Sequence, residues 1–125
     1  MADDHMAIET GVDIVEIERV AALVRRYGDR FGQRVFAADE WARYRDQPAS
    51  LAARFAAKEA VIKALGTPHM ALHEISVTRQ QGERPRVELS GRARQRADAL
   101  GVRTIALSLS HARRYAVAVV VLERS

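Results

Sequence analysis

The sequence predicts an α+β fold, an antiparallel sheet packed against a long central helix, and three features carry that expectation. Ile8, Thr10, Val12 and Ile14 alternate with Glu9, Gly11 and Asp13, the period-2 signature of a strand. An alanine-rich stretch from Leu51 to Leu65 stops at Gly66, with Pro68 just beyond, the usual punctuation of a helix C-terminus. The remainder reads as two strand pairs with one short helix between them.

Taken in order, the first strand spans Ile8 to Ile14. It places Asp13 on the face opposite the apolar set, near the strand's end. Val20, Leu23, Val24, Tyr27 and Phe31 then recur at helical spacing, with Arg19, Arg25, Arg26 and Arg30 mainly on the other side. A short helical turn carries Trp41 and Tyr44. Pro48-Ala-Ser50 reads as a break, with Ser50 as N-cap of the helix Leu51–Leu65. His73 to Arg79 and Arg86 to Leu89 form a hairpin around the Gly82 turn. Ser90 caps a helix that ends at Gly101. Thr104 to Ser110 and Tyr115 to Leu122 form a last hairpin. Its final strand, Ala116 to Leu122, is apolar on both faces and so belongs at the centre of a sheet or against another subunit.

The 125 residues suit one domain, 1–125, with residues 1–6 read as leader or disordered sequence. No apolar run reaches the roughly 18 residues of a membrane span, and the absence of cysteine leaves no disulfide framework or thiolate metal site and fits the cytoplasm. The net charge of +4 asks for an anionic partner. Nucleic acid is not favoured, because the arginines are scattered, not interleaved with aromatics, and no groove-reading or base-stacking motif accompanies them. An acidic protein or a polyphosphate explains the charge equally well.

Glu59 and Lys63 stand four apart, about 40° around a helix axis, so their side chains share one stripe. Phe55, Ile62 and Gly66 make that stripe partly apolar. By itself such a pair is an ordinary surface contact of a few tenths of a kcal/mol. A second carboxylate, Asp13, at a strand end could sit beside Glu59. Two carboxylates completed by phosphate and water are how Mg²⁺ is usually held. His111 follows Ser108-Leu-Ser at another strand end, where a turn histidine satisfying backbone is as good an explanation in isolation.

Gly11-Val-Asp-Ile14, Arg54-Phe-Ala-Ala-Lys-Glu-Ala-Val-Ile-Lys-Ala-Leu-Gly66 and Ser108-Leu-Ser-His111 together resemble, in order and spacing, the holo-acyl-carrier-protein synthases. The similarity runs from about Ile8 to Glu123. These enzymes transfer the 4′-phosphopantetheine of coenzyme A to a serine of an acyl carrier protein. The resemblance implies a single-lobe phosphopantetheinyl transferase fold that works as a homotrimer, with each coenzyme A between two subunits. It implies that Asp13 and Glu59 bind Mg²⁺ and that Lys63 contacts the phosphates. The Gly66-Thr67 turn would lie along the nucleotide, and His111 near the adenosine phosphate end. Arg54 matches a motif arginine but stands about 140° around the helix from Glu59, so it is structural or reaches a distal part of the ligand. Arg19 and Arg26 match positions that face the acidic recognition helix of the carrier. The serine's proton would go to a water on the metal or to Glu59. Two positions depart from the family pattern. Glu9 stands where relatives carry glycine, and the turn Gly82-Glu-Arg-Pro85 is one residue longer than usual.

Overall fold

In the computed structural model, which describes residues 6–125, strand β1 (Ala7–Glu16) runs directly into helix α1 (Ile17–Tyr27). The leader assigned to residues 1–6 therefore lies, apart from Met6, outside the described residues. The helical pattern from Val20 to Phe31 is not one helix. Gly28 adopts φ +54°, a left-handed value that glycine takes without steric cost, and the chain restarts as α2 (Asp29–Val35). A short α3 (Ala38–Tyr44) follows.

Helix α4 spans Pro48–Leu65. The break expected at Pro48–Ser50 is instead its first turn. Proline is tolerated at the start of a helix because its missing N–H would have no intrahelical acceptor there, so Ser50 is not the cap. Gly66, at φ +74°, ends the helix, its N–H donating to Ile62 O and Lys63 O. The expected strand from His73 begins only at Ile75, because Leu72–Glu74 forms a 3₁₀ turn; β2 (Ile75–Thr78) then pairs with β3 (Arg86–Leu89). Helix α5 (Gly91–Leu100) leads to β4 (Val102–His111) and β5 (Tyr115–Arg124).

The larger sheet is antiparallel, in the order β1-β5-β4, so the doubly apolar strand is central, as its composition predicts. Ala116, Ala118, Val120 and Leu122 point from β5 into the core with Leu51, Ala56, Ala60, Val61 and Leu65 of α4. Helix α4 lies close on β1 because Gly11 has no side chain there: a Cβ would fall 1.8 Å from Ala60 O. Gly11, Asp13 and Val15 are thus on the helix side, while Ile8, Val12 and Ile14, the apolar set of the alternation, face outward. Ile8 and Ile14 are 65% and 64% exposed, and Val119, Val121 and Tyr115 of β5 extend the same uncovered face. Two features departing from the family pattern are locally satisfied. Glu9 pairs with Arg124 Nε at 3.0 Å, and the longer turn closes through Glu83 N–H to Gln80 O and Arg79 Nε to Glu83 O.

Candidate active site

A cleft of about 460 Å³ opens where β1 passes into α1, lined by Asp13, Glu16, Arg19, Phe55, Glu59 and Tyr115 among others. Asp13 reaches it because alternation turns its side chain to the helix side of the sheet. Glu59 reaches it from the fourth turn of α4, next to Ala60, where Gly11 permits close approach. Lys63, one turn further on, does not pair with Glu59 as its spacing suggests. Its Nζ donates to Val12 O at 2.9 Å and meets Asp13 Oδ1 at 3.2 Å. The Lys63 side chain stays more than half exposed while that of Asp13 is mostly covered, and these two contacts leave one of the three ammonium donors for an anion.

Burial pushes the Glu59 carboxyl above the ordinary glutamate range; the Asp13 charge adds to the shift and Lys63 partly opposes it. Ionising Glu59 beside Asp13 therefore costs free energy that a nearby cation would recover. Among the described residues no group of three or more His, Cys, Asp or Glu is arranged to hold a metal. The donor set is two carboxylates, which fits a Mg²⁺ that takes its remaining ligands from phosphate and water.

The other lysine of the α4 motif has a different role. Lys58 is fully buried, and its Nζ donates to Glu40 Oε1 at 2.6 Å, to Ile75 O, and to Leu72 O at 3.4 Å. Glu40 in turn accepts from Ala37 N and from Val77 N at 2.9 and 2.8 Å. Burial pulls the Lys58 ammonium below its ordinary range despite the Glu40 charge. This is a buried network joining α3, α4 and β2, none of whose residues lines the cleft.

Arg54 also lies on another side of α4. Its guanidinium is buried and stacks 3.7 Å above the Tyr44 ring, Nη1 donates to Ser50 O at 3.4 Å, and Nε has no partner. It borders a second cleft of about 450 Å³ shared with Arg43, Arg79, Gln80 and Gly82. Three cations with no carboxylate in that lining make an anion-favouring surface. His111 is exposed at the end of β4. Through Ala116 it lies in the same row as Val15, two strands and so about 10 Å away, and it does not line the first cleft. Gly66 and Thr67 lie at the exposed end of α4, beyond Lys63. Arg19 is at the cleft, whereas Arg26 stacks on Tyr27 at 5.3 Å to the ring centroid.

A third opening, about 820 Å³, is lined by Leu23, Tyr27, Arg30, Phe31, Arg34 and Phe55. Phe55 borders both this groove and the carboxylate cleft. Sequence reasoning placed Phe55 on the stripe of Glu59 but passed over Glu16 and Tyr115 as cleft residues. Glu16 and Tyr115 face each other only through the β1–β5 register, and no local pattern carries that pairing.

The family model described as the 4′-phosphopantetheinyl transferase superfamily matches residues 9–120. The chain is 50% identical over 123 residues to a holo-[acyl-carrier-protein] synthase of Moorella thermoacetica, covering 94% of this chain and 95% of that protein. It is 47% identical over 115 residues to a protein of the same name from Dehalococcoides mccartyi, covering 91% and 97%. Among solved structures, Helicobacter pylori holo-[acyl-carrier-protein] synthase in complex with coenzyme A superposes with a TM-score of 0.80 at 30% identity, over 90% of this chain and 98% of that one.

Proposed function

The chain belongs to the holo-acyl-carrier-protein synthases of the 4′-phosphopantetheinyl transferase superfamily, and we propose that it transfers 4′-phosphopantetheine from coenzyme A to a serine of an apo acyl carrier protein, with Mg²⁺ required and 3′,5′-adenosine bisphosphate released. The observation that carries the reading is the pairing of Asp13 and Glu59 at one cleft with Lys63 bound to Asp13: two carboxylates that together favour a cation, and beside them a lysine whose side chain is more than half exposed.

In this reaction the serine Oγ forms a bond to the β-phosphorus of coenzyme A, and the bridging P–O bond to the α-phosphate breaks. The serine proton leaves, and the α-phosphate departs with the adenosine. Asp13 and Glu59 would hold Mg²⁺, which when bound neutralises pyrophosphate charge and favours in-line displacement. Lys63, fixed by Val12 O and Asp13, would hold an α-phosphate oxygen as negative charge grows on the leaving group. Glu59 carries the proton-accepting role if no water takes it. The Gly66–Thr67 turn would guide the nucleotide beyond Lys63.

We assign His111 to the adenosine-phosphate end of coenzyme A and Arg54 to a distal part of the ligand. Neither lines the Asp13–Glu59 cleft, so a coenzyme A that reaches all of these residues needs a surface larger than that cleft. A homotrimer with sites between subunits meets that need, and the uncovered apolar face of Ile8, Val12, Ile14, Val119 and Val121 offers the contact. The carrier would dock through its acidic helix on Arg19 and Arg26, beside the groove of Leu23, Tyr27 and Phe31. No helix among the described residues is long and apolar enough to cross a membrane, and we assign the reaction to the cytoplasm.

Intact-mass spectrometry of an apo carrier incubated with the chain, coenzyme A and Mg²⁺ tests this reading. One phosphopantetheine added to the carrier is the expected result. No addition to any of several apo carriers would overturn it.

A further inference from the structure

Among the described residues, one side-chain hydrogen bond joins helix α5 to the C-terminus of α4. Arg96 Nε donates to Leu65 O at 3.1 Å, one of the terminal carbonyls that has no acceptor role inside the helix. The guanidinium extends past that carbonyl, since a Cβ placed on Gly66 would lie 3.7 Å from an Arg96 terminal nitrogen. Capping needs only one of the five N–H donors of an arginine. Among the described residues, the terminal nitrogens of Arg96 have no protein partner and no carboxylate pairs with it. The neighbouring ion pair on α5, Arg94 with Asp98, forms without it.

The other end of α5 is fixed as firmly. Glu74 Oε2 accepts from Ala93 N at 3.2 Å, and Glu74 O accepts from Ser90 N at 2.9 Å. Gly91 is closely covered by the same carboxylate, at which a Cβ would fall 2.4 Å from Oε2. Helix α5 therefore bridges the two ends of the segment 66–74. Glu74 holds its first turn, and Arg96 holds the last turn of α4, immediately after Lys63.

We infer that Arg96 is a positioning residue for coenzyme A: it fixes the Gly66–Thr67 turn through Leu65 O and sets positive charge beside the path of the nucleotide phosphates. This rests on the function proposed above. The chemistry recognised is a polyphosphate, for which a fork of unpaired N–H donors on a half-buried guanidinium is well suited.

The test is steady-state transfer to an apo carrier with coenzyme A varied, using wild type, Arg96→Gln and Arg96→Lys. Glutamine can still donate to Leu65 O but carries no charge, so it separates capping from charge. Arg96→Gln should raise the KM for coenzyme A about tenfold or more, the weight of one charge-assisted hydrogen bond, with kcat, the carrier KM and the melting temperature near wild type. Arg96→Lys should recover most of the loss. A wild-type KM for coenzyme A in Arg96→Gln would overturn the assignment while leaving the proposed function standing. Absence of transfer by the wild-type chain would overturn both.

Discussion

Replacing Lys58 by methionine should destabilise the fold severely without removing a catalytic group. Methionine keeps most of the stem's packing, so the loss is concentrated at the ammonium. Lys58 Nζ serves Glu40, Ile75 O and Leu72 O, and its removal leaves the Glu40 carboxylate buried with only the Ala37 and Val77 amides. Breaking a buried pair by deleting one partner costs about 3–5 kcal/mol, a large share of the roughly 5–15 kcal/mol that holds such a domain together. At this chain length that corresponds to a melting temperature lower by about 10–20 °C. Adding Glu40→Gln to Lys58→Met should recover part of the loss, because the amide oxygen can still accept from a backbone N–H without stranding a charge. Urea unfolding of the two single variants and the double variant measures the coupling. Transfer by Lys58→Met, assayed well below its melting temperature, should stay within about twofold of wild type. A variant within about 1 kcal/mol of wild-type stability that has lost transfer would refute the reasoning and make Lys58 part of the chemistry.

Two further predictions follow from the cleft and the sheet. Glu59→Gln should abolish transfer yet stabilise the metal-free chain at neutral pH. The folded-state pKa of Glu59 is raised by burial and by Asp13, so the folded chain takes up a proton that the unfolded chain releases. That contribution is present below the unfolded carboxyl range and is lost as pH rises through the folded value. The gain in Glu59→Gln should be about 0.5 kcal/mol, since solvent screens a half-exposed group, and should vanish near pH 4 in chemical denaturation. An unchanged or lower stability at pH 7 would contradict the raised pKa. On the outer face of the sheet, Ile14→Glu with Val119→Glu should yield a single-chain mass in analytical ultracentrifugation and lower transfer by about tenfold or more; full transfer by a monomer would rule out a site shared between copies.

Much of the site was legible because its parts are local. Four-residue spacing put Glu59 and Lys63 on one side of a helix, and two-residue alternation turned Asp13 from the outward set. Long-range pairings were not legible. Nothing near Lys58 points to Glu40, eighteen positions away, and nothing near Glu59 predicts that Lys63 will choose Asp13. The face of β1 that enters the core also escaped the pattern. Alternation separates two faces, but it was Gly11, by admitting the Ala60 carbonyl, that brought the helix onto the less apolar one. The two helix boundaries that differed, at Gly28 and Pro48, turn on single residues whose meaning depends on position. Glycine can end a helix or sit within it, and proline can break a helix or begin one.

Asp13→Ala tests most directly whether Asp13, Glu59 and Lys63 form the transfer site. Intact-mass spectrometry of an apo carrier, incubated with coenzyme A and Mg²⁺, compares this variant with wild type, while circular dichroism confirms that both are folded. Wild type should add one phosphopantetheine and Asp13→Ala none. Addition at the wild-type rate by folded Asp13→Ala would contradict that assignment.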